Sequence, residues 1–162
     1  QKLPVLKKLE ISFCTLSNLS SICEMPLLEE LHFVYTKKLE DISGIMKLKK
    51  TLKHLWFEEA SCKNITNWNP LSELKKLREL VIVKSSISDL HFLEKLHNLN
   101  NLRLIETKIL TEELDPLKNI KSVSYFHTGV DKQIEKVLSE EQKLFMKNVV
   151  DRVNEIEISI KK

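Results

Sequence analysis

Histidine, cysteine and carboxylate side chains are the groups in this 162-residue chain best able to hold a metal or act as nucleophiles. The histidines are His32, His54, His91, His97 and His127, and the cysteines are Cys14, Cys23 and Cys62. His32 and His54, set beside Glu30 and Glu58, have the donor types of a metal centre, but neither H-E-x-x-H nor another close ligand spacing accompanies them. They read instead as residues of a solvated face, and no metal is expected. A serine nucleophile would need the G-x-S-x-G turn, which does not occur, and Cys62 has no recognisable histidine partner. The two glycines, Gly44 and Gly129, are too few to write either G-x-G-x-x-G or G-x-x-x-x-G-K-[ST]. The chain therefore reads as not an enzyme, with no catalytic residue, no cofactor and no small-molecule substrate expected.

Charge narrows the partners further. Lys and Arg number 26 against 23 Asp and Glu, a net charge of +3 with both signs interspersed. The longest basic runs are pairs such as Lys7-Lys8 and Lys49-Lys50, too short for a phosphate-binding stripe, so no nucleic acid is expected. No uncharged stretch approaches the roughly 18 apolar residues of a membrane span, and no membrane association is expected. The opening residues lack the apolar segment of a signal peptide. Three cysteines without C-x-x-C fit a reducing compartment, and a cytoplasmic location is the expectation despite sequons at Asn18 and Asn64.

The elements that must position these side chains come from leucine, which supplies 27 residues, 25 of them before position 118. Apolar residues at i, i+3 and i+5 recur at Leu6-Leu9-Ile11, Leu28-Leu31-Phe33, Leu52-Leu55-Phe57, Leu77-Leu80-Ile82, Leu99-Leu102-Leu104 and Ile120-Val123-Tyr125. Successive starts lie 22, 24, 25, 22 and 21 residues apart, the self-similarity of a stacked repeat. Each match predicts a short strand with alternate residues inward. Each strand is followed by a return segment with leucines about every three residues, such as Ile42-Ile45-Leu48 and Ile87-Leu90-Leu93-Leu96. One such unit cannot bury its apolar side alone, whereas stacked units share a continuous core.

The first unit, from Leu6 through Leu9, Ile11 and Cys14 to Leu16, fills the template L-x-x-L-x-L-x-x-N/C-x-L and so resembles a leucine-rich repeat. The fourth unit, Leu77 to Leu96, with Trp68-Asn69-Pro70-Leu71 and Leu114-Asp115-Pro116-Leu117 in its neighbours, is similar to the short class of about 22 residues found in internalins. That resemblance implies an α/β, right-handed leucine-rich-repeat solenoid. It would have a parallel concave sheet of six to seven strands, a 3₁₀ or irregular convex side and a helical C-terminal cap. The ladder position after each strand, Asn in many such repeats, reads Cys14, Thr36, Ala60, Ser85, Thr107 and Thr128. Ala60 cannot hydrogen-bond through its side chain. An irregular loop near residues 59–65 is expected there, with Ser61 or Cys62 substituting.

Repeats are expected over residues 1–129 and a cap over 130–162. Asp131 is expected to cap a short helix reaching Leu138, and Ser139 to Gln142 matches a capping box for a second. Phe145, Val149, Val153 and Ile156, joined by Leu144 and Val150, would form its packed stripe, and the Ile156-Ile158-Ile160 alternation suggests a seventh strand over 155–160. The N-terminus has no comparable cap, and a longer natural chain upstream is expected.

Outward strand residues form three columns across the expected sheet: Lys8, Glu30, His54, Glu79, Asn101, Ser122; then Glu10, His32, Trp56, Val81, Arg103, Ser124; then Ser12, Val34, Glu58, Val83, Ile105, Phe126. A merely structural sheet would be mostly polar here. Instead Val34, Trp56, Val81, Val83, Ile105 and Phe126 make an apolar diagonal beside His32, His54, Glu58 and Arg103. Such a patch marks an interaction surface, and Trp and Arg are favoured anchor residues. The expected function is non-catalytic recognition of another protein through this face, with Trp56 as its centre. The alternative is a target-recruiting piece of a larger effector or enzyme.

Overall fold

The computed structural model describes residues 5–20, 25–59 and 61–146. Each of the six i, i+3, i+5 matches contains one five-residue strand: β1 (Lys8–Ser12), β2 (Glu30–Val34), β3 (His54–Glu58), β4 (Glu79–Val83), β6 (Asn101–Ile105) and β8 (Ser122–Phe126). They pair in parallel, in chain order, as one six-stranded sheet. Two-residue strands β5 (Ser86–Ile87) and β7 (Lys108–Ile109) make a second, small parallel pair at the start of two return segments. Inward residues of the middle strands, from Leu31 and Phe33 to Leu102 and Leu104, are wholly buried. Phe33 stacks on Phe57 at 5.2 Å, Phe57 meets Trp68 edge-on, and Trp68 faces Phe92, so an aromatic spine crosses three consecutive repeats.

The return segments are short 3₁₀ turns at Ser43–Leu48, Asn69–Glu73, His91–Lys95 and Asp115–Asn119. A side-chain oxygen two residues upstream of a backbone N–H opens three of them: Asp41 to Ser43 at 2.8 Å, Asn67 to Asn69 at 3.1 Å and Asp89 to His91 at 2.7 Å. These local bonds set the turn before the 3₁₀ segment begins. Pro70 and Pro116 occupy the first turn of theirs, where a missing N–H leaves no bond unmade.

Every strand of the six-stranded sheet ends the same way. Phe13, Tyr35, Glu59, Lys84, Glu106 and His127 all have positive φ, between 49° and 58°. Their spacing of 22, 24, 25, 22 and 21 residues repeats that of the strands. A left-handed residue swings the chain out of the sheet at a cost of about 1–2 kcal/mol for a side chain other than glycine. The hydroxyl ladder just behind this turn offsets part of that cost. Ser85 donates to the Cys62 carbonyl at 2.9 Å, and Thr107 to the Ile82 and Ile105 carbonyls at 3.0 and 3.1 Å. In the third repeat Ser61 takes the place Ala60 would fill, donating to the Glu58 carbonyl and accepting the Thr36 N–H at 3.1 Å. Two ladder residues depart from expectation. Thr36 is buried, but its hydroxyl has no partner among the described residues, and Cys14 is only half-buried.

The two ends of the core differ. At β1, Leu6, Leu9, Ile11 and Leu16 are only partly buried. At the other end, helix α1 (Asp131–Val137) lays Ile134, with Leu138 just beyond it, against the last repeat. Asp131 is not the cap expected of it but the first helical residue. Its carboxylate instead accepts the Thr128 N–H and hydroxyl, closing the final ladder turn. Ser139 and Gln142 do form the reciprocal capping box, at 2.8 and 3.2 Å, opening helical backbone over 140–146. The Gln142 amide also donates to the Leu117 and Ile120 carbonyls, which a solenoid end would otherwise leave unpaired. Leu144 and Phe145, expected on a packed stripe, are exposed because buried Gln142 holds the inward position of this turn. The rest of that stripe and the seventh strand over 155–160 lie outside the described residues, as do Cys23 and Ala60.

Two isosteric substitutions separate the working ladder hydroxyl from the idle one. Thr107→Val is expected to lower unfolding free energy by roughly 1–2 kcal/mol, because it removes the hydroxyl whose one proton is shared between the Ile82 and Ile105 carbonyls. Thr36→Val is expected to be neutral or stabilising, because it removes a buried hydroxyl that has no partner among the described residues. Denaturant unfolding of both variants checks this, and equal losses would contradict it.

Candidate functional site

Parallel pairing in register turns the outward residues into a lattice. Lys8, Glu30, His54, Glu79, Asn101 and Ser122 are consecutive partners along one column, and Glu10, His32, Trp56, Val81, Arg103 and Ser124 along the next. The third column pairs Ser12 with Val34, Val34 with Glu58, Val83 with Ile105, and Ile105 with Phe126. All ten residues expected to bind a partner, His32, Val34, His54, Trp56, Glu58, Val81, Val83, Arg103, Ile105 and Phe126, therefore share one face.

They are not equally accessible. Trp56 lies between His32 and Val81 on adjacent strands. Strands about 4.8 Å apart leave no room for solvent between such a ring and its neighbours. His32 stacks on Trp56 with ring centroids 4.1 Å apart and is only 6% exposed, as is Val81. Both were expected at the surface; the indole covers them. Trp56 itself is half-buried, and its Nε1 and the His32 Nε2 are buried without a hydrogen-bond partner among the described residues. Val34, Glu58, Val83 and Ile105 are half-buried, Arg103 is exposed, and Phe126 is 54% exposed.

Charge on the face is organised around Glu79. One carboxylate oxygen meets His54 Nδ1 at 3.2 Å and the other meets Arg103 Nη2 at 3.4 Å, so the guanidinium is held over the sheet from two strands. Lys8 pairs with Glu30 at 3.3 Å further along the same column. Burial holds the His32 imidazole below its ordinary value of 6.5. His32 thus serves a stack and His54 a hydrogen bond with Glu79, and among the described residues no group of three His, Cys, Asp or Glu side chains is placed to hold a metal.

A fourth column escaped the sequence reading. The left-handed residues Phe13, Tyr35, Glu59, Lys84, Glu106 and His127 line the C-terminal lip of the sheet. Phe13 and Tyr35 stack at 4.9 Å, Lys37 sits over the Tyr35 ring, and Lys84 pairs with Glu59 at 3.2 Å. Phe13 is 77% exposed. The repeat spacing carried this column too, one position beyond the last outward strand residue.

Two residues elsewhere complete the survey. Desolvation pushes the buried Cys62 thiol up to about 12, so it stays protonated and packs as a core group. On the return side, His91 joins two repeats, with Nδ1 against Asp89 and Nε2 3.3 Å from Glu113. The Asp89 hydrogen bond, then its charge, raises the His91 value above 6.5.

No family model matches the sequence, and no curated protein matches it. Solved structures do. Internalin C2 from Listeria monocytogenes is 24% identical, with a TM-score of 0.51 over 76% of this chain and 63% of that one. The leucine-rich repeat domain of the type III effector XopL is 18% identical, with a TM-score of 0.53 over 76% of this chain and 45% of that one. The fold is a leucine-rich-repeat solenoid. The chain thus spans less than two thirds of either structure's own length.

The two perturbed histidines of this leucine-rich-repeat fold have opposite signs. The folded state binds the His32 proton more weakly than the unfolded chain does. Its contribution to stability is therefore present above pH 6.5 and is lost as pH falls from there toward its lower folded value. His91 contributes below pH 6.5, and that contribution is lost as pH rises through its higher folded value. An NMR titration of the imidazole resonances is expected to find His32 titrating below 6.5 and His91 above it; the reverse order would contradict the assigned geometry.

Proposed function

We propose that this chain is a non-catalytic recognition module that binds a partner protein through the concave leucine-rich-repeat sheet. The observation that carries the reading is the apolar diagonal on that sheet. It runs from Val34 through Trp56, which covers Val81, to Val83, Ile105 and exposed Phe126, with Arg103 paired to Glu79 beside it. Contiguous apolar surface on a face that could be wholly polar has its usual explanation in binding. Trp56 supplies a rigid centre, held by its stack on His32, and rigid anchors lose little conformational freedom on association. Among the described residues no helix is long and apolar enough to cross a membrane.

A second reading makes the module the recruiting part of a larger effector. It is favoured by the likeness to the XopL domain, which is itself one part of a type III effector. Both readings use the same face.

The cleanest variant spares the packed centre. Arg103→Ala with Phe126→Ala removes two exposed side chains, so denaturant unfolding is expected to move by less than about 1 kcal/mol. Affinity capture from the source organism's lysate is expected to lose the partner. Trp56→Ala is expected to lose it as well, at a larger cost in stability because His32 and Val81 are uncovered. Undiminished capture by the Arg103→Ala/Phe126→Ala protein would contradict the concave-face reading.

A further inference from the structure

The C-terminal lip of the sheet carries a pattern that a single apolar patch would not. At one end Phe13 and Tyr35 stack beside Val34; at the other Phe126 is exposed beside Ile105. Between them stand three carboxylates, Glu58, Glu59 and Glu106, and one cation, Lys84. Lys84 pairs with Glu59, and among the described residues neither Glu58 nor Glu106 makes an ion pair. The middle of the lip is therefore acidic on a chain whose net charge is +3. The opposite lip has the opposite sign: Lys7, Lys53, Arg78 and Lys121 precede strands there and Lys8 opens one, against Glu29, which pairs with Lys53, and Glu30 and Glu79, which open strands. The charge separation runs along the strands, and the apolar ends lie across them.

We infer that the partner, given the concave-face recognition proposed above, presents a polypeptide segment with two apolar anchors and Lys or Arg between them, lying across the strands on the C-terminal lip. Register sets its length. From β2 to β8 is four ladder steps of about 4.8 Å, or roughly 19 Å, which an extended chain covers in about six residues. One anchor meets the Val34, Tyr35 and Phe13 end, the other meets Ile105 and Phe126, and the cations between them meet Glu58 and Glu106. The basic N-terminal lip repels the same cations, which fixes the side of the face on which the segment lies. Because the segment crosses the strands, it adds none to the sheet, and its side chains rather than its backbone carry the recognition.

Phage-displayed random peptides of about twelve residues, long enough to span the lip twice over, test this on the full chain. Selected sequences are expected to hold Lys or Arg between apolar residues about five to seven apart, with binding that weakens as salt rises. Glu106→Lys combined with Glu58→Gln is expected to weaken a selected peptide roughly tenfold at low salt and to flatten its salt dependence. Both positions lie outside the buried core, and Glu106→Gln alone, which adds no charge, is expected to give a smaller loss in the same direction. Selection of neutral or acidic peptides that are lost on Phe126→Ala with Arg103→Ala would overturn the basic-segment inference while leaving the concave reading intact. Failure to select any peptide above an unrelated control protein would overturn it too, and would leave concave recognition resting on the lysate capture alone.

Discussion

In-register parallel pairing, unbroken from β1 to β8, decides which side chains meet on the face. Because side chains alternate with period two, a one-residue slip between any two strands would send leucines outward and charges into the core. The buried leucine and phenylalanine pairs thus enforce the same register that puts Trp56 between His32 and Val81 and brings Glu79 within reach of both His54 and Arg103. Core packing and the proposed recognition surface are two sides of one alignment. A change to an inward residue of β3 would act on binding through the register, without touching a partner.

The turn that ends each strand is the second constraint. Six left-handed residues, none of them glycine, keep a conformation that costs each of them free energy. Buried hydroxyls at Ser61, Ser85, Thr107 and Thr128 bond the carbonyls or carboxylate around these turns. With glycine nearly absent, the turning residues keep side chains, and those side chains become the C-terminal lip of the concave face. A glycine at each turn would relieve strain and erase the aromatic pair at Phe13 and Tyr35 and the carboxylate at Glu106. Local strain and a usable surface therefore have the same source.

Much of this was legible in the sequence because repetition makes each position visible six times. The strands, their parallel order, the three outward columns, a substitution by Ser61 or Cys62 in the third repeat and the capping box at Ser139 follow from spacing and residue type; between Ser61 and Cys62 the spacing did not choose. What was not legible depended on the neighbour across the ladder. The burial of His32 and Val81 comes from the size of Trp56 one strand away, which no single repeat contains. The Thr36 hydroxyl, without a partner among the described residues, and the working one of Thr107 occupy equivalent positions in the repeat. Asp131 looked like a helix cap because Asp is a good one. The final ladder turn needed an acceptor more, and the carboxylate bonds backward to Thr128. Gln142 shows the same logic at the end of the array, where open carbonyls at Leu117 and Ile120 draw a polar side chain into a site expected to be apolar.

The face that results is graded rather than uniform: a packed aromatic centre, a guanidinium held by a shared carboxylate, and a lip whose charge changes sign from one strand end to the other. This gradient distinguishes recognition by the lattice from adhesion by any exposed apolar residue, since Met46 and Leu110 on the return side are also exposed. Methyl NMR of the chain saturated with its captured partner separates the two most directly. The account predicts shifts or broadening at Val34, Val81, Val83 and Ile105, with Met46 and Leu110 unchanged. Perturbation of Met46 and Leu110 with the four sheet residues unmoved would contradict it.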